Sequence, residues 1–220
     1  MNALELPVIV VGGGGHAKVL LSTLLLCRTS ILGFVDVNPT PPPLLGIKYL
    51  GNDSAVLPYA PSEVRLVNGV GSANSTAARK NIYERFTQDW YCFASVIHPS
   101  AIIALEVQIE DGVQIMAGAI VQSGSRLGSN VVVNTGAIVD HDCVVGAHAH
   151  IAPGAVLSGG VRVESGAHIG TGATIIQGVN IGAASVVGAG AVVIRDVPPG
   201  VTTVGVPAKI VNNALSHNAR

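Results

Sequence analysis

The chain has 220 residues, a net charge of −1, 49% hydrophobic and only 11% charged residues, with aromatics at 4%. A near-neutral balance offers no basic surface for nucleic acid, and the longest apolar run, residues 19–27, is broken by Ser22 and Thr23 and falls short of the ~20 residues a membrane span needs. Three scattered cysteines, at 27, 92 and 143, give neither a disulfide framework nor a zinc pattern, and the N-terminus lacks the basic region of a secretory signal, so a cytoplasmic location is expected.

In chain order, "LPVIVVG" predicts a short buried strand, and "GGGGHAKVLLSTLLLC" an amphipathic helix behind a glycine turn. "ILGFVDV" predicts a second strand ending in Asp36, and the proline-rich "NPTPPPLLG" a loop. "VRLVNGVG" predicts a third strand, and "NSTAARKNIYERF" a second helix capped by Asn74 or Ser75. Residues 1–93 are thus expected to form a small, mostly parallel α/β unit, Rossmann-like in its opening βαβ step.

From Ile97 to Val193 every sixth residue is Ile, Leu or Val, and two positions before each stands only Ser, Ala, Val or Cys. That period is the signature of a parallel β-helix, whose interior takes one aliphatic and one small residue per six. Three hexapeptides close one triangular coil of about 18 residues, so 94–200 should hold roughly five to six coils in a prism roughly 25 to 30 Å tall. Faces so poor in charge call for covering, which predicts self-association. Residues 201–220 are expected to form a C-terminal cap segment.

Two places in the chain carry polar chemistry. Gly12, Gly14 and Ala17 fit the spacing of a dinucleotide turn, with Asp36 22 residues after Gly14. Glycines there let backbone N–H groups approach a pyrophosphate at a helix N-terminus. The unit is too short for the second half that a nicotinamide cofactor needs, so a nucleotide diphosphate joined to another group fits better, and His16 could add a donor to it. A plain tight turn would also use these glycines.

The second place is "VDHDC", residues 139–143, in otherwise aliphatic surroundings. His141 is a natural proton acceptor near neutral pH, and a neighbouring carboxylate would hold its tautomer. Asp140 and Asp142 both qualify, although in an ideal strand both would point away from His141. One coil above lies Gly159, leaving room for the ring, and His150 stacks on His168. Cys143 occupies the small slot of the repeat and reads as packing, His98 as a cap of the first coil, and His148 and His217 as solvated. A zinc site from His141, His148 and His150 would require three side chains to converge, and no metal is expected.

The set "VVGGGGHAKV", "FVDVN", "GVGSAN", "IHPSA", "NTGAIVDHDCVVGAHAHIAPGA" and "GVPAKI" resembles the bacterial nucleotide-sugar acetyltransferases of the hexapeptide-repeat family, which include bacillosamine and perosamine N-acetyltransferases. The resemblance implies a left-handed β-helix, a homotrimer, and acetyl-CoA bound between neighbouring prisms. It implies transfer of acetyl to the 4-amino group of a nucleotide-linked 4-amino-4,6-dideoxy sugar, with UDP as first choice and GDP second. O-acetylation of a sugar hydroxyl, or a non-catalytic nucleotide-sugar-binding trimer, are the alternatives. His141 matches the family's general base and Asp142 the acid beside it. His150 and Asn134 match residues near the thioester, with Gly159, Thr171 and Ala189 along the cofactor. Gly12, Gly13, Gly14, Gly15, His16, Asp36, Gly71, Ser72 and Asn74 fall where the family holds the nucleotide sugar.

Overall fold

The computed structural model describes residues 6–41, 44–72 and 75–211. The apolar run Val8–Val11 (β1) is fully buried and pairs in parallel with Ile31–Val35 (β2) on one side and Arg65–Asn68 (β4) on the other. A fourth strand that the sequence pattern does not announce, Tyr49–Gly51 (β3), lies outside β2, giving the order β3-β2-β1-β4. Three residues are too few to show alternation. What admits them is Gly33, where a β-carbon would lie 2.6 Å from Leu50 Cγ and from the Lys48 carbonyl.

Helix Gly15–Leu26 (α1) covers one face of this sheet, and helix Ala77–Gln88 (α2) the other. Leu20, Leu21 and Leu24 of α1 pack against Val8, Val10 and Phe34, and the same cluster continues into Val96 and Met116 of the following domain. Phe86 of α2 joins Ile9, Leu66, Tyr91 and Phe93. The α/β unit is therefore seated on the first coils by a shared apolar core.

From Val96 onward the chain winds through two-residue strands in three parallel sheets as a left-handed β-helix of hexapeptide repeats. Each strand pairs with the one 18 residues on, as in Val132 with His150 and Val139 with Leu157. The aliphatic series fills the interior: every member from Ile115 to Val193 is buried, while Ile97, Ile103 and Ile109 are half-buried where the first coil has no neighbour beneath it. Strands Thr202–Val204 and Lys209–Val211 close the far end as an antiparallel pair.

The sheet that begins at Val96–Ile97 is covered by the α/β unit. The sheet that begins at Ile102–Ile103 presents Ile102, Ile120, Ile138, Val156, Thr174 and Val192 outward. The third, beginning at Gln108–Ile109, presents Gln108, Arg126, Val144, Arg162 and Asn180. At each coil corner one residue takes a left-handed backbone, every sixth position from Glu106 to Gly190. Most of these are glycine, for which that conformation is free of steric cost. Among the described residues no helix is long and apolar enough to cross a membrane.

Candidate active site

Asp142 is one of the few non-glycine residues at a left-handed corner, with φ +59°. A side chain there costs roughly 1–2 kcal/mol, less for Asp or Asn than for most residues. The corner turns its carboxylate back onto the preceding residue: His141 Nδ1 and Asp142 Oδ2 are 2.9 Å apart. Asp140 plays a different part. Its Oδ1 accepts the His141 backbone N–H at 2.8 Å, and buried Ser125 donates to its carbonyl at 2.7 Å. The two aspartates left open by the sequence are thus separated, one on the ring and one on the backbone.

With Nδ1–H donated to Asp142, His141 Nε2 carries the free lone pair. The ring lies over Gly159, where a methyl group would collide with Nε2 and Cε1. The Asp142 hydrogen bond first, then the charge of Asp140, lift the imidazole above its ordinary pKa. Both His141 and Asp142 are exposed.

The glycine turn follows the central strand β1 and leads into α1. Gly12 has φ +110° and donates to Val35 O at 2.7 Å, while Gly13 N–H donates to Asp36 Oδ2. Asp36 Oδ1 accepts Asn38 N–H at 2.7 Å, tying the end of β2 to the turn. Gly14 and Gly15 are open on their side-chain side, and α1 begins with neither a capping side chain nor an acid in its first turn. Its N-terminal N–H groups remain available to an anion.

His16, next in line, is held from the other domain. Gln114 Nε2 donates to Asn68 O at 2.8 Å, so its Oε1 is the atom 2.7 Å from His16 Nε2. A carbonyl can only accept, which fixes the amide, and the amide in turn requires the proton on Nε2. Burial, then the charge of Arg79, lower the pKa of His16 to about 4, so the ring is neutral. Its Nδ1 presents an acceptor, not the donor toward phosphate that the sequence suggested.

His150 is fixed in the same manner. Asn134 Oδ1 accepts Thr135 N–H at 2.8 Å, so Asn134 Nδ2 donates to His150 Nε2 at 3.0 Å, and His150 Nδ1 donates to Ser72 Oγ. Both ring nitrogens are occupied. Burial, then the neighbouring His168, push its pKa down to about 2. Ser72 thereby links the Gly71–Ser72 loop to the β-helix; Asn74 lies outside the described residues. His168 stacks edge-on against His150 with centroids 5.0 Å apart.

Thr171 and Ala189 are exposed and stand 18 residues apart on the corner after the covered sheet, in line with Thr135. His148, expected in solvent, is instead buried, with Nδ1 3.0 Å from Asn130 Nδ2 and its ring edge-on to Tyr83. The docked α/β unit covers it. His98 pairs with Ser100 N–H at 3.1 Å at the first corner, and His217 lies outside the described residues. Cys143 is fully buried, and burial pushes its thiol pKa up to about 11, so it is no nucleophile. His141, His148 and His150 do not converge: each has a separate partner, and among the described residues no group of three or more His, Cys, Asp or Glu side chains could hold a metal.

Sequence reasoning missed Asn68, Arg79 and Gln114, which join the two domains through buried hydrogen bonds: Asn68 and Arg79 donate to Asn130, and Gln114 donates to Asn68 O. Gln114 did carry a signal: it is a polar residue at an outward strand position between Val96 and Val132 in register. The polar groups form two clusters. His16, Ser72, Asn134 and His150 gather along the covered sheet, whereas His141 and Asp142 occupy the corner between the other two sheets, opposite it. Within one chain the clusters cannot meet.

Known proteins with this arrangement identify the family. The "PglD N-terminal domain" matches residues 7–86, and "Bacterial transferase hexapeptide (six repeats)" matches 124–159. No curated protein sequence matches. Among solved structures, a histidine-to-asparagine mutant of perosamine N-acetyltransferase from Caulobacter crescentus, in complex with CoA and GDP-perosamine, is 37% identical, with TM-score 0.89 over 97% of this chain and 100% of that one. The acetyltransferase domain of PglB from Neisseria gonorrhoeae FA1090, also solved with acetyl coenzyme A, is 35% identical, with TM-score 0.87 over 93% of this chain and 99% of that domain. WeeI from Acinetobacter baumannii AYE is 27% identical, with TM-score 0.85 over 94% of this chain and 100% of that one. The chain belongs to the bacterial nucleotide-sugar acetyltransferases of the hexapeptide-repeat family.

Proposed function

We propose that this protein transfers the acetyl group of acetyl-CoA to the 4-amino group of a nucleotide-linked 4-amino-4,6-dideoxy sugar, with His141 as general base. The observation that carries the reading is the His141–Asp142 pair, whose tautomer leaves Nε2 free on an exposed corner above Gly159. The amine nitrogen attacks the thioester carbonyl while Nε2 takes its proton. Collapse of the tetrahedral intermediate breaks the C–S bond, and the imidazolium returns the proton to the leaving sulfur. His150 has no ring N–H to spare, so the oxyanion falls to a backbone N–H. Positioning of both substrates supplies much of the rate.

The separation of the two clusters supports a site shared between copies. The outward aliphatic column Ile102, Ile120, Ile138, Val156 and Val192 is the surface suited to bring prisms together, and a homotrimer with acetyl-CoA in the groove between neighbours is our reading. Thr171 and Ala189 would line it. Gly12 to His16, Asp36 and Gly71 would hold the nucleotide sugar, with Ser72 and Asn74 alongside.

The sequence reading put UDP ahead of GDP. The 37%-identical neighbour carries GDP-perosamine, and a GDP-linked sugar becomes our first choice with UDP second. The test is thiol release from acetyl-CoA with GDP-, UDP- and dTDP-linked 4-amino-4,6-dideoxy sugars, with the acetylated atom located by mass spectrometry. N-acetylation of one of them is the expected result. Acetylation at a hydroxyl, or no turnover with any amino sugar, would overturn the reading.

A further inference from the structure

Arg79 is only 1% exposed, yet no carboxylate among the described residues pairs with it. Its Nη1 donates to Asn68 O at 2.9 Å and Val70 O at 3.0 Å, and its Nε to Asn130 O at 3.5 Å. Among the described residues its Nη2 has no hydrogen-bond partner. Burying an unpaired cation is costly. The place in the fold makes it worse: Arg79 is the third residue of α2, at the positive end of the helix dipole, in a first turn without an acid. Burial lowers its pKa to about 9, which still leaves it charged at neutral pH.

A fold that needed only to bridge three carbonyls would not require a full charge here. The charge lies beneath the glycine turn: Arg79 holds the Val70 carbonyl, and a β-carbon on Gly12 would lie 3.1 Å from Val70 N and 3.0 Å from Gly69 C. At His16, on the first turn of α1, burial and then the Arg79 charge lower the pKa, so the guanidinium field reaches the start of that helix.

We propose that Arg79 is a buried counter-charge for the diphosphate of the nucleotide sugar, acting from under the glycine turn without touching the ligand. It is a positioning residue as well, since it fixes the Asn68–Val70 strand end on which Gly12 rests. The inference depends on the glycine turn being the diphosphate site.

The test compares binding of GDP, GMP and guanosine (with the uridine series in parallel) to native protein, Arg79→Met and Arg79→Lys by calorimetry. Arg79→Met removes the unpaired charge but also the donors to the Val70 and Asn130 carbonyls, so it is expected to fold with reduced thermal stability. Its affinity for the diphosphate should fall on the order of tenfold or more, with a smaller fall for the monophosphate and none for the nucleoside. KM for acetyl-CoA should not move. Equal affinity losses across all three ligands, or none, would overturn the counter-charge and leave a purely structural arginine. Should Arg79→Met fail to fold, Arg79→Lys decides. It retains the charge but not the paired donors, so diphosphate affinity within about threefold of native supports the field, and a larger loss contradicts it. Native protein that binds no nucleoside diphosphate would overturn the glycine-turn reading itself, a result separable from an indifferent Met variant.

Discussion

Replacing Gly159 by alanine isolates the placement of the His141 ring from the fold around it. Gly159 lies in the next coil, adjacent to Gly160, whose N–H donates to the His141 carbonyl at 2.9 Å. A β-carbon on Gly159 would lie 2.5 Å from His141 Cε1 and 3.1 Å from Cδ2. Ordinary carbon contacts are about 3.5–4.0 Å, so the ring must retreat by about 1 Å or more. A displacement of that size at a reacting group costs on the order of 10² in rate. The three atoms nearest the new carbon all belong to the His141 ring, and the Gly159 backbone is not left-handed. Stability should therefore hold or rise by about 0.4 to 1 kcal/mol through the stiffer unfolded chain. The assay pairs thermal denaturation with kcat and KM from thiol release and with calorimetric CoA binding. A folded Gly159→Ala protein with kcat within about threefold of native would refute the claim that the ring position matters. Added to His141→Ala, the substitution should cost nothing further, since the two act through one group.

Asp142→Asn should change the pH profile. The Asp142 hydrogen bond is the largest cause of the raised His141 pKa, and a base must be neutral to act. The native rate should then rise with pH through a midpoint above the ordinary histidine value, and the variant should rise at lower pH to a lower plateau; an unmoved midpoint would contradict the pairing. Buried His16 and His150, with pKa values lowered to about 4 and about 2 from 6.5, predict acid sensitivity. Below 6.5 the unfolded chain binds more protons, so their contribution is complete above that pH and lost as pH falls. Each costs roughly 2 kcal/mol at pH 5 relative to pH 7, and urea midpoints that do not differ between those pH values would refute it. Cys143→Ala should retain activity within about twofold and cost roughly 1 kcal/mol; abolished turnover in a folded variant would restore the thiol as a candidate nucleophile.

The β-helix could be read from one regularity because its interior repeats with the coil. The same sequence shows glycine at many of the corner positions, from Gly112 through Gly190, but it takes the backbone angles to show that Asp142 stands at one of them. That corner is why Asp142 reaches His141, although a straight strand forbids it. What could not be read depends on which face the α/β unit covers. The period marks Gln114, His150 and His168 as outward, and corner residue His148 as exposed. Only the docking of α1 and α2 buries them and turns them into a polar seam with Asn68 and Arg79. Strand β3 was hidden for a local reason, being three residues long and admitted by Gly33.

The central claim is that His141 takes the proton from a nucleotide-linked sugar amine as acetyl is transferred. The direct measurement is kcat for thiol release from acetyl-CoA with a GDP-linked 4-amino-4,6-dideoxy sugar, comparing native protein with His141→Ala. Turnover by the native chain and a loss of roughly 10² or more in the variant are expected. Turnover that survives the substitution would remove His141 from the chemistry and contradict the account.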